Sequence, residues 1–376
     1  MALDIIFSEN YGQGITGQHD AKIGKLMTPL KMYIQGESDA LSNSKAQKDL
    51  EAVYNMTVTN EYADTFQLAD TLGMMEAVPA GNGPSNQRTN ETGKKVIYNT
   101  PFMLETAVTR QLIDDCRGKL TANIQNIARG IPASYYRTRS YLGINALVNA
   151  SHGNSTFRFV SGDGKLSIDL DTTTYDGLPL FSKSHKYGVG SDRVKNGKGD
   201  TQSNAFYVKS TADTDVLKAG NIQEYLNVMA NKLALMKDES GLPMGYTGDV
   251  LLVPLNRFKL VAALKTAVGT ERAAGGDMND INLTFGHYTI VATEKWTSDK
   301  DEIIMISSEA NRVLGGNMFL DRKRLDIKSW EDNHTRNLIM NAYTRWGIGF
   351  NTYKHAVALT LYGASDSADT TNCEAL

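Results

Sequence analysis

The sequence predicts an α+β fold, in which helical and extended segments fill different parts of the chain. In the segment PFMLETAV, Phe102, Leu104, Thr106 and Val108 alternate with outward positions, a pattern typical of a β-strand. The apolar residues that follow recur at helical spacing instead. Beyond residue 220, helix-like and strand-like segments alternate, so the last part of the chain indicates a mixed α/β domain.

The composition narrows the classes of protein to consider. The chain has 376 residues, of which 41% are apolar and 22% charged, enough for two or three soluble cores. The formal net charge of -3 argues against a protein that grips nucleic acid through many phosphate contacts. A weak basic cluster at Lys22, Lys25 and Lys31 is best explained as a solvated face, with contact to nucleic acid as the alternative.

Cysteine usage and the N-terminal residues point to a cytoplasmic place of synthesis. The two cysteines, Cys116 and Cys373, cannot form a disulfide framework, and the six histidines do not pair with them at metal-ligand spacing. The start MALDIIFSENYG does not have the pattern of a signal peptide. No apolar run approaches the ~20 residues that cross a bilayer.

Residues 1–60 and 61–110 are expected to form an arm and a long β-hairpin. The arm is rich in glycine and polar residues and can bury little by itself. The hairpin has its tip in GNGPSNQRTNETG, where turn-forming residues concentrate. Because a two-stranded ribbon alone in water is marginally stable, it must lie on its own domain or on a neighbouring subunit.

A long helix is predicted over residues 112–150. Six apolar residues at steps of three and four form one stripe, namely Ile113, Cys116, Leu120, Ile124, Ile127 and Ile131. Asp114 and Asp115 fit the negative charge that a helix N-terminus favours. Pro132 should kink or split the helix, and Tyr135, Leu142 and Ala146 would continue the stripe.

The remaining segments are assigned from breaks and periodicity. A helix begins near Asn221, DVLLVP is a short buried strand that Pro254 ends, and further strands follow up to residue 362. Residues 364–376 are acidic and rich in small residues, and they are predicted to be disordered.

The absence of recognisable catalytic motifs in the sequence favours a structural role. The sequence contains no phosphate-binding loop, no G-x-S-x-G elbow and no H-E-x-x-H helix. His185 and His334 are interpreted as hydrogen-bonded structural or turn histidines. The three tryptophans suit packing better than a base-stacking platform, because basic companions are sparse. We therefore expect no catalytic residue, no metal site and no cofactor.

Three stretches give the chain a family resemblance. The order of arm, extended loop, long helix and α/β domain resembles the Hong Kong 97-type major capsid proteins, most closely the Mu-like major head subunits. ETAVTRQLIDDCRGKL, with Asp114 and Asp115, is similar to the family's transition into its spine helix. TYDGLPLFSKSH resembles the family's D-G-x-x-L-F-x-x-x-H segment, and its matching residues are Asp176, Gly177, Leu180, Phe181 and His185. DESGLPM and LLVPLNRF, with Pro254, are similar to the stretches that follow.

The resemblance implies a division of the chain and a function. It assigns residues 1–60 to an N-terminal arm, 61–110 to an extended loop and 111–219 to a spine helix with a peripheral domain. It assigns residues 220–334 to an axial domain, 335–363 to return strands of the peripheral domain and 364–376 to a tail. Copies would form pentamers and hexamers of an icosahedral shell that encloses double-stranded DNA. Portal and possibly scaffolding or decoration proteins would be partners, without a membrane, and the shell would assemble in the host cytoplasm.

The extended loop supplies the candidate contacts between subunits. They are Met74, Met75, Asn86, Arg88, Lys94 and Lys95. Some relatives weld subunits by Lys–Asn isopeptide bonds, for which Lys94 and Lys95 would be the lysines in this loop. The N-terminal arm and the loop SDRVKNGKGDTQS depart from the family pattern.

Three alternatives remain open at the level of sequence. An encapsulin-like nanocompartment shell would share the fold, and the D-G-x-x-L-F segment favours the phage. An intracellular enzyme would need a pocket with convergent polar groups. A tail-tube protein would be shorter and dominated by β-strands.

Overall fold

The structure is a computed structural model that describes most of the chain. The described residues are 6–9, 18–69, 75, 77–79, 82–83, 91–115, 122–162, 164, 166–189, 198–210, 216–271, 281–282, 284–332, 334–368 and 370–376. The predicted Cys116 and Leu120 of the helical stripe lie outside these residues.

The helices and strands of the described residues confirm the predicted α+β class. The helices are α1 (Gln18–Ser42), α2 (Lys45–Val53), α3 (Arg110–Asp115), α4 (Ala122–Ser151), α5 (Ala219–Ala234), α6 (Phe258–Gly269) and α7 (Ser308–Leu314). The strands are β1 (Ile6–Glu9), β2 (Asn55–Val58), β3 (Ala63–Ala69), β4 (Glu91–Tyr98), β5 (Thr100–Val108), β6 (Thr156–Val160), β7 (Ser167–Asp171), β8 (His185–Val189), β9 (Lys198–Gln202), β10 (Ala205–Lys209), β11 (Val250–Pro254), β12 (Thr289–Thr293), β13 (Asp301–Ile306), β14 (Asn317–Glu331), β15 (Leu338–Phe350), β16 (Ala356–Tyr362) and β17 (Glu374–Ala375).

Two larger sheets organise the described strands. A five-stranded sheet has the order β1-β14-β15-β5, and β2 pairs with β14 beside β1. A six-stranded sheet has the order β12-β11-β13-β16-β10-β17. One buried cluster contacts both sheets, since it includes Ile327 and Ala342 of the first and Leu252 and Ile304 of the second. A second cluster packs α5 and α6 on the opposite face of the six-stranded sheet.

The helix α4, called the spine helix below, fits the predicted stripe. Ile124, Ile131 and Leu142 are at most 1% exposed. The expected split at Pro132 was wrong, because α4 runs unbroken through that residue. Asp114 and Asp115 are the last described residues of α3, where Arg110 forms an i,i+4 ion pair with Asp114, and the residues between them and the spine helix lie outside the described ranges.

The described parts of the N-terminal arm and of the tail pack on other elements of the chain. The helix α1 packs on the spine helix and buries Leu30 and Ile34 completely or nearly so. In the tail, which was predicted to be disordered, Cys373 is 7% exposed and β17 pairs with β10. Both segments lack a core of their own, but an amphipathic helix or a short strand becomes stable on the surface of another element.

The topology also corrects the allocation of strands to domains. Residues 220–334 were assigned to the axial domain, but β14 lies in the five-stranded sheet with β15 and β5. Residues 335–363 were assigned to the peripheral domain, but their strands are divided between the two larger sheets. The strand β15 lies in the five-stranded sheet and β16 lies at the centre of the six-stranded sheet, next to β10. Pro254 ends β11, as the sequence predicted.

The buried His355 joins the two sheets. Its burial predicts that the folded chain loses stability at acidic pH. His355 is fully buried, and its Nε2 atom donates to the Oδ1 atom of Asn317 at 2.8 Å. Burial lowers the pKa of His355 to about 3. An unfolded chain takes up this proton near pH ~6.5. The folded chain therefore loses stability as the pH falls from ~6.5 toward 3, by up to about 1.4 kcal/mol per pH unit.

Unfolding by urea at several pH values measures this effect. His355→Gln should flatten the fall in the free energy of unfolding between pH 6.5 and 4. His334→Gln, in an exposed turn, is the matched control and should leave the slope unchanged. An equal slope in the wild-type chain and in His355→Gln would contradict the assignment.

Candidate functional site

The returning limb of the predicted hairpin is divided between two sheets. Among the described residues of the extended loop, β3 and β4 pair as an antiparallel two-stranded ribbon, from Ala63 opposite Tyr98 to Ala69 opposite Glu91. The strand β5, predicted as part of the same hairpin limb, pairs instead with β15 at the edge of the five-stranded sheet. Below, "the ribbon" means β3 and β4, and its base is the end at Ala63 and Tyr98.

The ribbon base lies against the face of the five-stranded sheet that points away from the spine helix. Ile97 packs there with Met318 and Leu320, and Phe66 of the opposite strand covers them. Gly349 makes this approach possible, because a Cβ atom at that position would lie 2.6 Å from the side chain of Ile97. A Cβ atom at Gly347 would lie 2.6 Å from the carbonyl oxygen of Tyr98. The paired glycines of RWGIGF therefore form the seat of the ribbon.

An ion pair fixes the ribbon from a second side. The Nζ atom of Lys95 lies 2.6 Å from Oδ2 of Asp171 and donates to the hydroxyl of Thr173 at 2.8 Å. Burial alone would raise the pKa of Asp171, but the hydrogen bonds from Lys95 and Thr173 hold it below its usual value. Next to this pair, Gly93 leaves room for the ring of Tyr175. The ribbon is thus held by the loop that begins the D-G-x-x-L-F-x-x-x-H segment.

That segment folds into a closed turn. The Oδ1 atom of Asp176 accepts hydrogen bonds from the hydroxyl of Thr174 and the backbone N–H of Leu178. Gly177 has a φ of 76°, a conformation that favours glycine. Leu180 and Phe181 are fully buried. The spacing of residues in this segment is therefore explained by a turn and two core side chains.

His185 closes the turn, with both ring nitrogens within hydrogen-bond distance of the segment. It is fully buried, its Nδ1 atom lies 2.7 Å from Oδ2 of Asp176, and its Nε2 atom lies 3.2 Å from the carbonyl oxygen of Leu180. Burial by itself would raise the pKa of Asp176, but the bonds from His185 and Thr174 hold this pKa below its usual value.

Aromatic stacking connects this turn to both sheets. The ring of Tyr353, between β15 and β16, stacks on His185 with centroids 3.8 Å apart. Tyr175 stacks on the same ring and donates its hydroxyl to Oε1 of Glu239 at 2.8 Å. Glu239 also forms an ion pair with Lys354, and both side chains are at most 4% exposed. Burial raises the pKa of Tyr175 above its usual value.

We call this connected set the junction, meaning Lys95, Asp171, Tyr175, Asp176, His185, Glu239, Tyr353 and Lys354. It joins the two motifs DGLPLFSKSH and DESGLPM, which are distant in sequence, at the base of the ribbon. Its charges are paired within the chain, so its geometry suits positioning of the ribbon rather than chemistry on a substrate. Sequence reasoning missed Tyr353 and Lys354, because no local pattern distinguishes them from ordinary strand-end residues. Glu239 lies in the quoted stretch DESGLPM, but nothing in that stretch singled it out.

The predicted contact residues of the extended loop differ in their surroundings. Met75 is fully exposed and Lys94 is exposed. Lys95 is 6% exposed and its ammonium group bonds within the subunit, so the expectation of an outward lysine fails there. Met74, Asn86 and Arg88 lie outside the described residues.

Three further features of the described residues concern possible sites: a cavity, groups of metal-ligating side chains and apolar helices. A cavity of about 150 Å³ lies beside the Arg257–Asp301 ion pair, roughly half the ~300 Å³ at which small-molecule sites begin. No group of three or more His, Cys, Asp or Glu side chains in the described ranges could hold a metal ion. None of the helices within those ranges is long and apolar enough to cross a membrane.

Comparisons with known proteins give similarities to solved capsid structures. No family model and no curated protein match the sequence. The capsid of cyanophage P-SCSP1u is 11% identical, with a TM-score of 0.48 over 85% of this chain and 88% of that chain. The capsid of a native GTA particle is 13% identical, with a TM-score of 0.45 over 85% and 91%. The capsid of Myoviridae phage XM1 is 11% identical, with a TM-score of 0.43 over 81% and 89%.

Proposed function

We propose that the chain is the major capsid protein of a tailed bacteriophage, with the Hong Kong 97-type fold. Copies of it would assemble into the pentamers and hexamers of an icosahedral shell that encloses double-stranded DNA. The observation that carries this proposal is the ribbon, whose base is fixed by the glycine seat and the Lys95–Asp171 pair. At this base the ribbon packs on the sheet through Ile97 and Phe66.

A ribbon built this way is best explained by a neighbouring subunit. Two strands alone in water are marginally stable, so a projecting pair needs a second surface. A rigid base gives the ribbon a defined direction, which a ring of identical heterologous contacts requires if it is to close. Many such contacts in one shell reinforce one another through effective concentration.

The corrected topology gives each part of the chain a place in this proposal. The peripheral domain comprises the spine helix and the five-stranded sheet, and the axial domain comprises the six-stranded sheet with α5 and α6. A kinship with Mu-like head subunits is supported by the closed turn that Asp176 and His185 form. Portal, scaffolding or decoration proteins as partners, the virion as location and assembly in the host cytoplasm belong to the same proposal.

Replacement of the ribbon tip tests the proposal. A two-residue Asn-Gly turn that joins Ala69 directly to Glu91 retains both described strands, since these two residues are paired. We expect a subunit with the circular dichroism spectrum and melting temperature of the wild-type chain that no longer forms rings or shells. Sedimentation velocity measures the loss of assembly. Shells of normal size from this variant would contradict the proposal, as would unfolding of the subunit.

A further inference from the structure

A group of exposed and half-buried side chains, aromatic, apolar and basic, lies beside the ribbon base. The rings of Tyr62 and Tyr98 contact each other with centroids 6.0 Å apart, and the guanidinium carbon of Arg345 lies 5.6 Å from the ring centroid of Tyr62. In the register of β5 and β15, Pro101 lies opposite Arg345 and Met103 opposite Tyr343. We call Tyr62, Tyr98, Met103, Tyr343 and Arg345 the tyrosine–arginine patch.

The patch is more exposed than packing of the subunit explains. Tyr62 is 59% exposed, Tyr98 60% and Met103 70%. The core beneath the ribbon base consists of Ile97, Met318, Leu320 and Phe66, so the two tyrosine rings do not contribute to it. Tyrosine, methionine and arginine are enriched at the centres of protein interfaces, where tyrosine and arginine are frequent hot spots.

The charge of the patch indicates what kind of surface fits it. Arg345 forms no ion pair with any described residue, and its Nε atom is buried without a hydrogen-bond partner there. Lys323, opposite Arg345 in the sheet, is paired with Asp326, so of these two facing cations Arg345 is the one without a countercharge among the described residues. The whole chain has a formal net charge of -3, so the surface outside the patch carries an excess of negative charge. A second copy of the chain therefore offers a surface of complementary sign.

We propose that the tyrosine–arginine patch is a docking surface for a second copy of this chain. The inference rests on the proposed function and deepens it, because it names the residues beside the ribbon that a neighbouring subunit covers. Tyr98 is the last residue of β4, and Tyr62 directly precedes β3. A neighbour that covers the ribbon therefore lies next to the patch, and burial of two tyrosine rings strengthens the same contact.

Paired variants of the two tyrosines test the docking surface. Tyr62→Ala/Tyr98→Ala should raise the critical concentration for assembly at least tenfold while the melting temperature of the subunit stays that of the wild-type chain. Tyr62→Phe/Tyr98→Phe retains both rings and is the matched control, so it should assemble normally. Arg345→Glu should block assembly more strongly than Arg345→Lys. Normal assembly of the double alanine variant overturns this inference.

A photo-crosslinker identifies the occupant of the patch. Benzoylphenylalanine in place of Tyr98 is introduced into a mixture of ¹⁴N- and ¹⁵N-labelled chains, which is assembled and irradiated. We expect cross-linked peptides that contain both isotopes, which only contact between two copies can produce. Intact particles with cross-links within one chain alone overturn the docking surface and leave the proposed function intact. A wild-type chain that stays monomeric overturns both.

Discussion

Arg139→Met should be among the most destabilising single substitutions in this chain, at a cost of about 3–5 kcal/mol in the free energy of unfolding. The guanidinium group of Arg139, on the spine helix, forms a bidentate ion pair with Asp321 of β14. The side chains are only 1% and 11% exposed. Methionine fills the volume but leaves the carboxylate of Asp321 in the core without a countercharge. Urea unfolding of the unassembled subunit measures the loss.

Two further variants separate the ion pair from the volume it occupies. Arg139→Met/Asp321→Leu removes both charges and should recover most of the lost stability, since an apolar pair of similar volume is about as stable as a buried ion pair. Arg129→Met, also on the spine helix, breaks the ion pair with Glu37 of α1, in which the arginine side chain is 61% exposed. This control should cost less than about 1 kcal/mol. A single Arg139→Met variant as stable as the double variant would contradict the explanation.

Gly347→Ala should displace the ribbon base and weaken assembly more than it weakens the subunit. The added Cβ atom would meet the backbone carbonyl of Tyr98, which cannot rotate away as a side chain can. Overpacking of this kind costs roughly 1–3 kcal/mol in stability. Because the ribbon direction changes as well, we expect open or irregular assemblies in electron micrographs, at protein concentrations where the wild-type chain closes.

A glycine in open space provides the control for this substitution. Gly130 lies on the spine helix with no atom within 4 Å of its added Cβ atom. Gly130→Ala should therefore stabilise the helix by up to about 1 kcal/mol and leave assembly unchanged. Regular shells from Gly347→Ala would show that the ribbon base is not held where the structure places it.

Local sequence patterns predicted those elements that are visible in one short window of sequence. The stripe through Ile124, Ile131 and Leu142 identified the spine helix because helical spacing is visible in one window of sequence. The end of β11 at Pro254 was predictable for the same reason, since proline lacks the donor that a continuing strand needs. The spacing of Asp176 and His185 identified the segment in the sequence, but only the interatomic distances in the structure show that it forms a closed turn.

Long-range choices of partner could not be predicted. The alternation in PFMLETAV fits a ribbon limb and a sheet edge equally, and only the pairing of Leu104 with Ala342 decides between them. The helix α1 is rich in polar residues and contains a proline, so its stability depends on the spine helix on which it packs. The Arg139–Asp321 pair joins residues 182 positions apart, and neither residue has a local signature. The place of β16 in the six-stranded sheet could not be predicted either, because no local pattern specifies which strands it pairs with.

Electron microscopy of the purified wild-type chain tests the central claim most directly. The account predicts rings of five or six subunits, or closed shells, in negative stain, with the ribbon of each subunit lying on its neighbour in averaged images. A chain that remains monodisperse and monomeric under every assembly condition would contradict the account.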